Sequence, residues 1–203
     1  MIKSYDQEMF DFFTSEEAFL SLCKIAKHLP TVKAKLLEAF WDGVEKKLRE
    51  MVSNEVEWNV VRLEPISSSI SKVMLYKPSW GIAADGCPQL AVGYEKLTGQ
   101  TFYGPFVHNR VSQLNHADVT THLRGLPIVN DFDFDRSTWY PFWDHAALSF
   151  NTDEDFQQIL PTKRNEHIEQ FAGDLFGLGI TLAAELDYCN KQFRTTGSII
   201  TQN

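Results

Sequence analysis

From Thr162 to Phe193 the chain carries an apolar stripe with the period of an α-helix: Ile168, Phe171, Ala172, Leu175, Leu178, Leu182, Leu186, Cys189 and Phe193. About 32 residues at ~1.5 Å each give a helix of about 48 Å. A stripe of that length must be buried against a sheet or a helical hairpin, so it constrains the rest of the fold more than any other feature. Gly173 and Gly177, four residues apart, leave a bare patch on this helix. The patch predicts tight packing on the protein's own sheet, and a homodimer through the helix is the alternative use of it.

Two further helical patterns stand near the N-terminus. Thr14 followed three residues on by Glu17 has the form of a capping box, and Phe19, Leu22, Cys23, Ala26 and Leu29 then repeat at helical spacing over about 15–28. Pro30-Thr31 interrupts the count, after which Leu36, Leu37, Phe40, Trp41, Val44, Leu48 and Met51 form a stripe over about 32–52. Joined by so short a link, the two helices are expected to pack as a hairpin over about 15–52. Beyond Glu55 the period changes to two: Val56, Trp58 and Val60 alternate with polar neighbours, and residues 71–77 follow a serine turn at Ser67-Ser68-Ser69. The segment from Pro88 to Gly104 supplies two more strands around Leu97-Thr98-Gly99-Gln100, a compact turn. Strands in direct succession imply an antiparallel sheet of about four to five strands within 55–150. The fold class is therefore α+β, with 1–203 as a single domain. Residues 109–150 are the least regular part, where Asn115 can cap a short helix that Gly125 would close.

The charge of −8 is unevenly spread and concentrated in the C-terminal third, which argues against a nucleic-acid partner. No apolar stretch reaches the ~18 residues of a membrane span, and no leader is recognisable. Cys23, Cys87 and Cys189 are odd in number and widely spaced, as expected of free thiols in a reducing cytoplasm.

The candidate chemistry is sparse. Asp131, Asp133 and Asp135 alternate like the start of a calcium loop, but Arg136 stands where the turn needs glycine and Phe142 where a bidentate glutamate is required. Edge structure with one wet face explains the run better. His108, His116, His122 and His145, with Asp118 and Asp144 nearby, could ligate a metal, yet no pair has the spacing of a known zinc motif. Hydrogen-bonded histidines are the plainer reading. Nucleophile elbows and phosphate-binding loops are absent, so no cofactor is implied. Trp139, Tyr140, Phe142 and Trp143, together with Trp80 and Tyr103, could line a ligand or partner groove, although aromatic core is the plainer reading of such residues.

Trp80-Gly81, the stretch LAVGYEKLTGQTFYGPFV, the Phe40-Trp41 pair on a helix and WYPFW before a long final helix recur in one arrangement. In these features residues 30–193 resemble the C-terminal accessory region of a bacterial group within the PD-(D/E)XK nuclease superfamily. That superfamily's catalytic signature needs an Asp and an acidic-x-Lys triplet around a metal. Asp85 and Glu95-Lys96 approach it in order, but Tyr94 occupies the acidic position of the triplet, and Glu45-x-Lys47 reads as a solvated helix pair. The resemblance thus implies the accessory module without the nuclease. The expected function is a non-enzymatic binding or protein-interaction module, in phage–host conflict or defence, with a protein or small-molecule partner. The alternatives are a metal-dependent hydrolase using Asp85, Glu95 and Lys96 or the four histidines, and an acidic inhibitor presenting the C-terminal third to a basic partner.

Overall fold

A computed structural model describes residues 7, 9, 16–55, 57–63, 72–97, 100–108, 113–132 and 139–194. The cap at Thr14, the serine turn at Ser67–Ser69, the Thr98-Gly99 turn, Asp133, Asp135 and the tail from Thr195 lie outside them. Helix α1 runs Glu16–Met51, followed by strands β1 (Asn59–Leu63), β2 (Lys72–Tyr76), β3 (Leu90–Leu97) and β4 (Gln100–Val107). Then come α2 (His116–Arg124), β5 (Asp144–His145), α3 (Asp153–Gln158) and α4 (Arg164–Gln192). Among the described residues, the five strands form one antiparallel meander in the order β1-β2-β3-β4-β5.

The expected helical hairpin is instead one helix of 36 residues with Pro30 inside it. An interior proline costs about 3 kcal/mol through its missing N–H and its clash with the preceding turn. The residues that most readily reverse a chain are missing as well, since no glycine or asparagine stands between Lys27 and Ala34 to take the left-handed backbone on which many helices end.

The sheet has two covered faces because its side chains alternate. On one face Val73, Leu75, Val92 and Tyr94 meet the helices: Tyr94 stacks on Phe171 of α4 at 5.0 Å between centroids and lies 5.7 Å from Trp41 of α1. All four are buried, as are Phe40, Trp41, Val44 and Leu48 of α1. On the other face Phe102 and Phe106 pack against Tyr140, and Phe106 stacks on Trp139 at 5.4 Å. The Trp-rich segment thus covers the back of the sheet and donates β5, whose Asp144 pairs with Tyr103 and His145 with Phe102. This fifth strand arises in the stretch that reads as least regular. Its backbone can approach because position 104 is glycine: a Cβ there would sit 2.3 Å from the Phe142 carbonyl oxygen.

Helix α4 buries the expected stripe, from Ile168 through Cys189. The glycine pair does not serve that packing, since a Cβ at Gly173 or Gly177 would meet nothing within 4 Å. The close approach falls at Gly179, where a Cβ would lie 2.8 Å from Leu75 Cδ2, and at Gly43, 2.3 Å from Ile168 Cδ1. Asn115 accepts the Ala117 and Asp118 N–H groups as the cap of α2, and Gly125 ends that helix, as the spacing predicts.

Candidate interaction surface

Helix α1 is longer than the body it packs on. Its buried positions cluster from Phe40 to Leu48, contact with α3 begins at Leu29, and residues 16–28 extend about 20 Å further at ~1.5 Å per residue. On this free half, Phe19, Leu22, Ile25, Leu29 and Val32 follow one another at three- and four-residue steps, the spacing of a single helix face. All five are exposed, Ile25 at 65% and Phe19 at 53%. A partly exposed stripe of this kind forgoes about 1–2 kcal/mol of further burial for each side chain.

The polar residues of the same half are acidic only at its start, at Glu16 and Glu17. Between Ala18 and Leu37 the chain has Lys24, Lys27, Lys33 and Lys35 and not a single Asp or Glu, within a chain whose total is −8. At the foot of the arm the stripe runs into an apolar groove of about 230 Å³, walled by Leu29, Val32 and Leu36 of α1 and by Phe156 and Leu160 at α3. Lys33 closes one rim, bonded to Asp153 and lying over the Phe156 ring at 5.0 Å. Helix α3 is itself held by a capping box, in which Thr152 and Asp155 satisfy each other's backbone N–H groups.

The residues that could form a metal-dependent active site are not brought together. Asp85 lies in the turn before β3, where its Oδ1 accepts the Cys87 N–H at 3.0 Å and its Oδ2 accepts from His108 Nε2 at 3.1 Å. The Cys87 N–H foremost, then His108, hold its carboxyl below the usual range. In a working His–carboxylate pair the imidazole faces the substrate and the acid is buried behind it. Here the His108 side chain is 1% exposed and Asp85 is 57% exposed, so the pair is inverted and serves to pin the turn. Glu95 sits far along β3: from Leu90, at the His108 end, it is five strand residues away, about 16 Å at ~3.3 Å each. There it is buried near Tyr140, whose phenol is pushed well above its usual range by burial and then by the charge of Glu95. Lys96 follows on β3, its side chain outside the described residues.

The four histidines also go separate ways. His108 binds Asp85, while His122 of α2 donates to Glu185 of α4 at 2.8 Å. His116 opens α2, and His145 is on β5, edge-on to Trp143. Among the described residues no group of three His, Cys, Asp or Glu side chains could hold a metal ion.

Of the aromatic candidates, Trp80 and Tyr140 are fully buried and cannot meet a partner, whereas Tyr103 on β4, beside Tyr94, and Trp139 and Trp143 behind the sheet are half-buried. Trp80 belongs to a clasp: its Nε1 donates to Asp187 at 2.6 Å, and Lys77 donates to Asp187 at 2.7 Å while lying 3.2 Å from Glu57. Lys77 also rests over the Trp58 and Trp80 rings. Burial opposes its charge, but the two carboxylates outweigh that and raise its pKa. The clasp is satisfied within itself and ties the end of α4 to the sheet.

The arm escapes a reading of periodicity because an apolar stripe looks the same whether or not anything covers it. The signal available in the sequence is the acid-free run from Ala18 to Leu37, with Pro30 in its middle. Among the described residues no helix is long and apolar enough to cross a membrane. No family model matches this chain, nor does any curated protein or solved structure.

Proposed function

We propose that the chain is a non-enzymatic protein-interaction module that engages its partner through the free half of α1. The observation that carries this reading is the exposed stripe of Phe19, Leu22, Ile25, Leu29 and Val32 on a helix whose other half is core. Contiguous apolar surface of this kind is characteristic of interaction sites, since a monomer gains nothing by displaying it. The dispersal of Asp85, Glu95 and the histidines supports binding over hydrolysis. The likeness to a nuclease accessory region points the same way.

The experiment is affinity capture with cross-linking from the native cell, comparing the natural chain with an Ile25→Asp/Leu29→Asp variant. Both positions are exposed, so the variant should keep its circular dichroism spectrum and its unfolding midpoint. The natural chain is expected to recover at least one protein that the variant loses by about tenfold or more. Equal recovery by both chains, or none above a bait-free control, refutes the reading.

A further inference from the structure

We infer that the chain binds a guanidinium group at the β5 edge of its sheet, where Asp144 and Asp174 share it beside Tyr94 and Tyr103. This site is independent of the α1 arm. Strand register brings it together: Tyr94 of β3 pairs with Tyr103 of β4, and Tyr103 pairs with Asp144 of β5. Residues directly opposite one another point to the same face, with Cβ atoms about 5 Å apart. The three side chains therefore form a row on the face that meets the helices, and the two tyrosine rings lie 5.2 Å apart. Asp174 joins the row from α4, one turn beyond Phe171, whose ring stacks on Tyr94.

Two observations call for a cation here. Tyr94 is fully buried, yet its hydroxyl has no hydrogen-bond partner among the described residues. Burial first, then the charges of Asp174, Tyr103 and Asp144, push this phenol well above its usual range, so the hydroxyl is aimed at those groups. The acids, for their part, lack a counter-charge: burial and then Asp144 raise the Asp174 carboxyl above its usual range, and no cation offsets them. A cation between the carboxylates relieves this repulsion, and its N–H groups supply a donor to the Tyr94 oxygen.

The chemistry of the row selects guanidinium among cations. Burial, reinforced by the acids, keeps both phenols protonated, so neither can serve a metal as a phenolate. Two carboxylates alone fall well short of the about six to eight oxygens that calcium takes. A guanidinium presents its donors as a planar fork that can serve both carboxylates and the Tyr94 oxygen at once, and its plane can lie on an aromatic ring such as the half-buried Tyr103. An ammonium is a compact, strongly hydrated charge with fewer donors and leaves part of the row unserved.

The test titrates the full chain with ethylguanidinium chloride and with ethylurea, its uncharged isostere, following backbone amide shifts by NMR. Ethylguanidinium is expected to saturate with a Kd of about 10 mM or below, its largest shifts at residues 103, 144 and 174, and ethylurea to bind at least about tenfold more weakly. Asp144→Asn and Asp174→Asn should each weaken ethylguanidinium about tenfold while their unfolding midpoints hold or rise, because removing one of two like charges relieves repulsion. Tyr94→Phe should weaken it about threefold without loss of stability, since the hydroxyl removed has no partner. Glu154→Gln, which alters an exposed acid on α3, should bind as the natural chain does. Tighter binding of acetyl-Ala-Arg-Ala-amide than of ethylguanidinium supports an arginine side chain as the natural source, and equal binding supports a free guanidine.

Equal binding of ethylguanidinium and ethylurea, no saturation by about 50 mM, or undiminished affinity in the Asp144→Asn/Asp174→Asn chain overturns the inference. So does displacement of ethylguanidinium by Ca²⁺ or Mg²⁺ at about 1 mM, which would assign the acids to a metal. Tighter binding of propylammonium would assign them to an amine and overturns it equally. The Ile25→Asp/Leu29→Asp variant is expected to bind ethylguanidinium unchanged, so failure of this site and failure of the arm are told apart.

Discussion

The two halves of α1 obey the same helical pattern and meet opposite fates. Residues 36–51 put Phe40, Trp41, Val44 and Leu48 into an aromatic core, where Phe40 lies 5.1 Å and Trp41 5.9 Å from Phe171. Residues 16–35 hold Phe19, Leu22, Ile25, Leu29 and Val32 in solvent. The difference lies in what stands opposite. Sheet and α4 face the second half, and the first half reaches past both. Amphipathicity thus reports that a helix has a face to bury, not that this chain buries it.

The comparison breaks most visibly on truncation. Trp41→Ala or Phe40→Ala should lose about 3–5 kcal/mol in urea unfolding, and Ile25→Ala less than about 0.5 kcal/mol. A comparable loss at Ile25 would mean that the arm is packed after all. The same contrast between covered and open backbone exists among the glycines. Gly104→Ala forces a Cβ against the Phe142 carbonyl and should cost about 1–3 kcal/mol in thermal unfolding. Gly177→Ala has open space and should instead gain about 0.5–1 kcal/mol.

Where α4 ends, Asp187→Asn weakens the clasp on Lys77 and Trp80. A loss of about 1–2 kcal/mol is expected, with faster amide exchange in the last turns of α4 and an unchanged arm.

Acid should sharpen the view of the body further. Burial works to raise the Asp155 pKa, but hydrogen bonds from Asn151, Ser149 and Thr152 outweigh it and leave the carboxyl below its usual range. A depressed carboxylate adds stability above its ordinary pKa of about 4 and loses it as pH falls through the folded value. Asp155→Asn should therefore flatten the acid limb of a stability–pH curve. Asp174 runs the other way: burial and then Asp144 raise its pKa, so Asp174→Asn should stabilise the fold at neutral pH.

The smallest effect belongs to Pro30→Ala. It should increase helical circular dichroism and slow amide exchange in residues 16–35, with little change in the global midpoint because the arm adds little to the core.

The legible parts of the fold are those governed by local rules. The α4 stripe, the alternation leading into β1, the apolar runs of β3 and β4 either side of their turn, and Asn115 and Gly125 at the ends of α2 each follow from period, turn or capping. The single α1 is not legible in this way, because Pro30 ordinarily ends a helix and only the absence of a reversing residue shows that it does not. Strand β5 is two residues long and too short for periodicity to reveal. Its existence depends on Gly104, more than thirty residues away, admitting its backbone.

The site divides along the same line. Catalytic order in a sequence, such as Asp85 before Glu95-Lys96, carries no distance, and strand rise places the two acids at opposite ends of β3. Burial likewise separates Trp80 and Tyr140 from Tyr103, Trp139 and Trp143, which composition alone leaves equivalent.

Chain-local chemistry was sufficient to establish an α+β chain with an antiparallel sheet, a long final helix and a basic, acid-free apolar stretch near the N-terminus, because each reflects residues within a few positions of one another. Which apolar face finds a cover is different, since it depends on how far the sheet and α4 extend beside α1. That is a matter of three-dimensional reach, and it leaves one half of α1 as core and the other as the surface through which we propose the protein acts.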